Sequence, residues 1–303
     1  MLLTINIVSH NRPYSCYEAF LTIINQSIQE ENLYELIIVD DFSKKENINL
    51  LKNLLKKYKF KLIENTSNKK LAYSRNQAIF NSSSEWYAFC DDDDRWQTNM
   101  IKEFKSHVNN KNFCADMVLF LDKKFKKSWE SILSPQPRLR ELILAGVTPP
   151  VSSQFYKTEM LKKIKGYDIN IKSGVDHDLW INLCKTLNPK VSVCWGNNAI
   201  VCDDLSLERM TTNEKLRSLE INNSLKIWEP KIKDIFGKHF FIHFKNSYHN
   251  HLAWKVCIRN FMLKKYIKFI FNLSNMYNLK KLIKRILFGK SLDCNSFPRY
   301  KFK

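Results

Sequence analysis

Short apolar runs alternate with amphipathic stretches along the first two-thirds of the chain. Thr4–Ser9, Glu35–Val39, Phe60–Glu64 and Glu85–Cys90 are brief, largely apolar and bounded by polar clusters, which predicts strands. Between them, Tyr17–Gln26, Asn47–Lys57 and Leu71–Phe80 have helical spacing, with Ile48, Leu51, Leu54 and Leu55 falling on one helix face. Continuous apolar strands alternating with helices predict a parallel sheet covered on both faces. Further along, Met100–Val108 reads as a helix, Met117–Leu121 as a strand and Ser134-Pro135-Gln136-Pro137 as a break. Val151–Lys157 reads as a strand, and Thr158–Ile164 as a short helix stopped near Gly166. Leu179–Leu187 is an apolar-faced helix, and Val191–Trp195 and Ala199–Cys202 are late strands. Beyond 205 the pattern is helical to the end, and neither an internal repeat nor a low-complexity linker interrupts it. The predicted division is an α/β unit over 1–204 and a helical region over 205–303.

The polar clusters collect at strand ends. Asp91, Asp92, Asp93 and Asp94 follow directly on the apolar run Trp86–Cys90. Adjacent carboxylates repel one another in a partly dehydrated site. They suit a hard cation such as Mg²⁺ or Mn²⁺, which takes oxygen ligands and shares them with substrate phosphates. An acidic surface turn is the other reading. Ser9-His10-Asn11-Arg12 and Asp40-Asp41 end two more strands, and in open parallel sheets ligands bind outside the carboxyl ends of the strands. Three such ends together favour a nucleotide-type site.

Composition changes this picture mainly at the C-terminus. The 303 residues are 44% hydrophobic, enough for one large α/β domain with an extension. Of the net charge of +19, residues 205–303 supply +15 (21 Lys and Arg against 6 Asp and Glu) and residues 1–204 supply +4. A basic tail favours anionic partners. Phe261–Phe288 mixes apolar residues at helical spacing with Lys264, Lys265, Lys268, Lys280, Lys281, Lys284 and Arg285. That pattern fits interfacial helices on an anionic membrane surface, or helices packed on the first unit with a solvated basic face. The abundance of Lys, Asn and Ile also reflects a low-GC coding bias. The eight cysteines form no C-x-x-C pair and read as buried thiols of a reducing compartment. The N-terminus reads as a core strand and not as a signal peptide, and no apolar run reaches the roughly 18–20 residues of a membrane span. His239 and His243 have i, i+4 spacing, with His249 and His251 following, but they lack the glutamate of a zinc-helix motif.

Taken in order, these segments resemble family 2 glycosyltransferases. Ile7-Val8-Ser9-His10-Asn11-Arg12 is similar to that family's first strand and loop, and Val39-Asp40-Asp41-Phe42-Ser43 to its V-D-D-x-S segment. Ser74-Arg75-Asn76-Gln77-Ala78 is similar to A-R-N-x-G, and Phe89–Asp94 to the block containing the D-x-D metal motif. Gly166-Tyr167-Asp168 followed by Asp176-His177-Asp178-Leu179-Trp180 is similar to G-x-D and E-D-x-D-L-W. The resemblance covers roughly 1–204. Departures are Val175 where Glu is usual, Asn182 where Arg or Lys is common, Lys69-Lys70 where a glycine is usual, and Gln77 where another is usual.

The resemblance implies a GT-A fold, a Rossmann-like, mostly parallel sheet flanked by helices, here with a basic helical C-terminal extension. It implies an inverting enzyme moving a sugar from a nucleotide-sugar donor, UDP-linked by expectation, to a hydroxyl of a glycan or lipid-linked glycan. Surface-polysaccharide or lipooligosaccharide assembly at the cytoplasmic face is the corresponding setting. Asp91 and Asp93 are the implied ligands of Mn²⁺ or Mg²⁺, with Asp93 the direct one, and the cation would stabilise the leaving diphosphate. Asp92 is placed at the ribose, Asp41 at the base, and Ser9 and Asn11 on the nucleotide-side loop. Arg75 meets either the diphosphate or the aspartate cluster. Asp176 is the implied general base. Asp178 is expected to stabilise the following helix through its dipole, and Asp94 to cap the helix after it. Trp180 lies either under the acceptor sugar or in the core, and His177 at the surface or behind the site.

Two rivals remain at this level. A nucleotidyltransferase would want a glycine-rich first loop, which Ser9-His10-Asn11-Arg12 is not. A non-catalytic nucleic-acid-binding protein would use the basic tail and leave the acidic strand ends unexplained.

Overall fold

A computed structural model describes residues 1–27, 33–123, 126, 133–145, 149–196, 199–202, 214–249 and 299–300. Seven strands form one mixed sheet in the order β3-β2-β1-β4-β7-β6-β8. These are β1 (Leu3–Ser9), β2 (Tyr34–Asp40), β3 (Lys61–Glu64), β4 (Trp86–Phe89), β6 (Met117–Leu121), β7 (Gln154–Lys157) and β8 (Val191–Trp195). The first four are mutually parallel, β7 is antiparallel to both β4 and β6, and β8 is parallel to β6. A small second sheet joins β5 (Asp94–Trp96) to β9 (Ala199–Cys202) and β10 (Arg299–Tyr300). The helical expectation beyond 205 therefore fails at Arg299–Tyr300, which pairs with Val201 and Cys202 as a strand. Phe261–Phe288 and His251 lie outside the described residues.

The unbroken apolar strands exist because both faces of the sheet are covered. Successive residues of β2 and β4 feed opposite cores, Ile37, Val39, Tyr87 and Phe89 one way and Leu36, Ile38, Trp86 and Ala88 the other. The second core is closed by helices α1 (Pro13–Ile24), α2 (Lys45–Leu55) and α4 (Met100–Val108). The first is closed by α3 (Lys70–Phe80), α5 (Leu139–Ala145), α6 (Thr158–Lys163) and α7 (Val175–Thr186). The helices after residue 205, α8 (Glu214–Phe236) and α9 (Lys238–His249), bury Ile221, Leu225, Trp228, Ile232, Phe240 and Phe244 in that same cluster.

Two backbone positions fix how the site segments meet. Gly166 has a φ of +71°, and a Cβ there would lie 2.2 Å from Asn76 Oδ1. That close approach lets Asn76 accept from the Tyr167 amide (2.8 Å) and donate to the Tyr167 carbonyl (2.9 Å), tying α3 to the loop before α7. Lys70, where the resemblance expects a glycine, also has a left-handed φ of 71°. Gly166→Ala is expected to lower the unfolding free energy by ~2 kcal/mol or more. Lys70→Gly should raise it by about 0.5 kcal/mol, relief of left-handed strain exceeding the entropy glycine adds to the unfolded chain. Urea denaturation reads both, and a neutral Gly166→Ala would show that the Asn76 clamp is not needed.

Candidate active site

Four strands deliver their carboxyl ends to one edge, and the reversed direction of β7 brings its preceding segment there too. Asp91–Asp94 make a β-turn in which the Asp94 amide donates to the Asp91 carbonyl at 2.9 Å. Ser152, in the 3₁₀ turn Val151–Ser153 ahead of β7, pins both ends of that turn. Its Oγ accepts from the Asp91 amide (3.0 Å) and donates to Asp94 Oδ2 (2.5 Å). Asp94 therefore belongs to β5 and does not cap a helix, because its carboxyl is consumed inside the turn. Asn99 stands at the N-cap of α4 instead.

The turn divides its carboxylates between protein and cleft. Asp92 is buried and accepts from Ser9 Oγ (3.1 Å) and Arg12 Nη1 (3.2 Å), while Ser15 Oγ donates to its carbonyl (2.7 Å). The side chains of Asp91 and Asp93 stay 38% and 22% exposed. Burial, outweighing the Arg75 guanidinium and aided by Asp93 and Asp176, pushes the Asp91 carboxyl up to about 6. Solvent screening trims that shift. Burial pushes Asp92 up to about 7 against the pull of Arg12, and Asp94 is raised by burial and by Asp91 and Asp93.

On the loops after β1 and β2, Asp41 is a buried anchor. Its Oδ1 accepts from Asn65 Nδ2 and the Lys69 amide, and its Oδ2 from the Lys70 amide, each at 2.8 Å. It thus satisfies the N-terminus of α3 from a distance. Among the described residues the Lys70 amide alone donates to Oδ2. Asn11, at φ 57°, accepts through Oδ1 from the Lys44 amide (2.7 Å) and Asn47 Nδ2 (3.1 Å), tying the first loop to α2. His10 Nδ1 donates to the Asp41 carbonyl at 2.8 Å, which ties the first loop to the second.

At the centre lies Arg75, 1% exposed. Its Nη2 donates to Asp91 Oδ1 at 2.7 Å and its Nη1 to Asp176 Oδ1 at 2.5 Å. The guanidinium carbon sits 5.0 Å from the Phe89 ring centroid and 5.3 Å from that of Tyr167. Burial opposes its charge, and Asp176, Tyr167 and Asp91 more than offset that. Asp176 is on the first turn of α7, 39% exposed, and both of its donors, Arg75 and the Tyr167 hydroxyl (3.4 Å), reach Oδ1. Among the described residues Oδ2 has no donor.

Asp178, in the same turn, is fully buried. It accepts from Trp228 Nε1 (2.9 Å), Lys231 Nζ (3.1 Å) and Asn182 Nδ2 (2.8 Å). Its partners on α8 go beyond the expected dipole role. Trp180 is a core residue, donating from Nε1 to Gln154 Oε1 at 2.8 Å. His177 faces Trp228, with ring centroids 6.4 Å apart, and burial lowers its pKa.

The exposed carboxylates fit a divalent cation. Asp91 and Asp93 are hard-oxygen donors on one turn, and their mutual repulsion is a deficit that a cation relieves. No group of three His, Cys, Asp or Glu side chains converges among the described residues. Two carboxylates suit an ion that completes its shell with water and substrate phosphate. Arg12, Ser15, Ser152 and Tyr167 were not singled out from the sequence. Of these, Arg12 and Tyr167 lie inside matched motifs and could have been found there.

A mixed α/β sheet with an acidic turn after its fourth strand and a carboxylate facing it across the same edge defines a GT-A glycosyltransferase. The chain belongs to glycosyl transferase family 2, whose model matches residues 4–167. No curated protein sequence matches it. Among solved structures the chain is similar to S. aureus TarS 1-349 in complex with UDP-GlcNAc, at 17% identity and a TM-score of 0.58, covering 86% of this chain and 81% of that one. It spans 49% of a longer S. aureus TarS chain. It is also similar to the mannosyltransferase PcManGT from Pyrobaculum calidifontis in complex with GDP-Man and Mn²⁺, at 13% identity and a TM-score of 0.54, covering 95% and 87%. At these identities the likeness concerns the fold.

The raised carboxyls set a pH dependence. Asp91 and Asp92 hold protons more tightly in the folded chain than in the unfolded one. Their favourable contribution is complete below an unfolded value near 3.8 and is lost as pH rises through about 6 and 7. The metal-free protein should therefore melt at a falling temperature between about pH 4 and pH 7. Asp92→Asn, which cannot titrate, should flatten the decline in thermal melts in EDTA. An unchanged slope would remove this cluster as its cause.

Proposed function

We propose that this glycosyltransferase moves a sugar from a UDP-sugar to a hydroxyl of a glycan or lipid-linked glycan, with inversion at the anomeric carbon. The observation that carries the reading is the shared guanidinium: Asp91 and Asp176 reach the two Nη atoms of Arg75, and both carboxylates stay partly exposed. Asp176 acts as general base, its Oδ2 positioned to accept the acceptor hydroxyl's proton while Arg75 and Tyr167 hold Oδ1. Asp91 and Asp93 hold a divalent cation, Mn²⁺ or Mg²⁺, which when bound neutralises charge developing on the leaving diphosphate. Asp41 Oδ2 accepts the uracil N3–H. Ser9 and Asn11 shape the nucleotide side, Ser9 by holding Asp92 and Asn11 by holding the α2 loop. Arg75 holds both carboxylates by hydrogen bonds and lends positive charge to the donor side.

The acceptor side rests on sequence alone. Among the described residues no helix is long and apolar enough to cross a membrane. We place the enzyme at the inner face of an anionic membrane through Phe261–Phe288, where a lipid-linked acceptor would reside.

Nucleotide sugars surveyed by thermal shift with and without Mn²⁺ test the reading, because a ligand of the folded state raises its melting point. A UDP-sugar is expected to respond, and only with the cation. Asp93→Ala should abolish the Mn²⁺-dependent shift. Asp176→Asn should keep the shift and lower transfer by about 10²–10⁴-fold. Retained transfer by Asp176→Asn would overturn the base assignment, and a Mn²⁺-dependent shift that survives Asp93→Ala would overturn the metal assignment.

A further inference from the structure

We infer that helix α8 is a positioning element of the reaction, with Trp228 and Lys231 fixing the first turn of α7 so that Asp176 stays on Arg75. The inference rests on the base assignment for its kinetic consequence and on geometry alone for its structural one. Asp178 is two residues beyond Asp176 on the same turn, and Oδ1 of its buried carboxylate meets Trp228 Nε1 at 2.9 Å and Lys231 Nζ at 3.1 Å. Lys231 also approaches Asp168, 3.9 Å away, in the segment that carries Tyr167. Ser224 Oγ donates to the Ser173 carbonyl at 2.8 Å, holding the residue before Gly174. Gly174 is the N-cap of α7, at φ 75°, and no side chain caps that end. The turn is thus held from α8 at Ser173 and Asp178, on either side of Asp176, and from the Tyr167 segment at Asp176 itself.

A buried carboxylate with a charged donor and an indole N–H on one oxygen is tightly oriented. Its alignment passes to Asp176 through less than one helical turn. A small displacement of a reacting group costs rate without weakening donor binding, which does not involve α8. Trp228 and Lys231 are positioning residues acting through Asp178, and the region after 205 then carries part of the catalytic geometry.

Two variants of the full chain test this. Trp228→Phe keeps the ring and removes the N–H, and Lys231→Met keeps the stem and removes the charge. Hydrogen–deuterium exchange should rise on the order of tenfold at residues 175–180 and stay unchanged at 70–80. Turnover with the responding UDP-sugar should fall on the order of tenfold while the donor KM moves less than about twofold. If Trp228→Phe fails to fold, Lys231→Met is read alone, since its Nζ lies at a partly exposed edge. Faster exchange confined to α8, with residues 175–180 and turnover unchanged, would overturn the inference. If Asp176→Asn retains transfer, the base assignment fails, and the exchange result at 175–180 still decides whether α8 holds the turn.

Discussion

Arg75 is the charge around which the cleft is organised. Removing a guanidinium from water costs several kcal/mol, and that cost is recovered only with good geometry and opposite charges. Here the recovery comes from two carboxylates on separate segments, one ahead of β7 and one after it, and from two aromatic faces. Each partner is therefore required by the others. Losing either carboxylate would leave a buried charge half-paired, a change of about 3–5 kcal/mol in such pairs. The interaction also explains why Asn76, the next residue of α3, is spent on clamping Tyr167. The clamp sets the distance between α3 and the loop that leads to Asp176.

The aspartate turn solves a different problem. Four adjacent acids cannot all be ionised in a closed space. The structure separates them by environment: Asp92 and Asp94 are buried on hydroxyl and guanidinium donors, while Asp91 on Arg75 and Asp93 near Arg12 stay partly exposed. Raised carboxyls on Asp91, Asp92 and Asp94 reduce the charge that the turn must carry. The same repulsion makes the partly exposed pair receptive to a cation.

Most strand positions were legible because those strands are short, largely apolar runs; Met117–Leu121 and Val191–Trp195 match their predicted limits, whereas the polar β5 (Asp94–Trp96) was missed. Helix starts were less legible. Pro13 opens α1 four residues ahead of the predicted Tyr17 because the first turn of that helix carries little apolar periodicity. The direction of β7 was not legible at all, since apolar runs read the same either way. Ser152 was missed as a consequence, because only an antiparallel β7 carries its leading turn to the acidic edge. The motifs placed Asp91, Arg75 and Asp176 near one another, but the choice between diphosphate and carboxylates for Arg75 needed coordinates. In this structure its donors go to the carboxylates. Trp228 and Lys231 lay beyond the matched segment, some fifty residues from Asp178, and no spacing rule links them.

The C-terminal charge has to be divided before it is assigned to a partner. Lys231 is spent inside the fold on Asp178 and Asp168, Lys233 pairs with Glu229 within α8, and Asp234 on the same helix meets Lys185 of α7. Many apolar residues of α8 and α9 are likewise committed to the core that contains Tyr87 and Phe89, although Leu219 and Ile242 are exposed. A helix lying on a membrane must keep its apolar face free for lipid, and most of the apolar face of α8 is already occupied by protein. Further lysines and arginines cluster in the sequence from Lys264 to Arg285, after α9. Among the described residues, the region after 205 supports the first turn of α7 through Trp228 and Lys231.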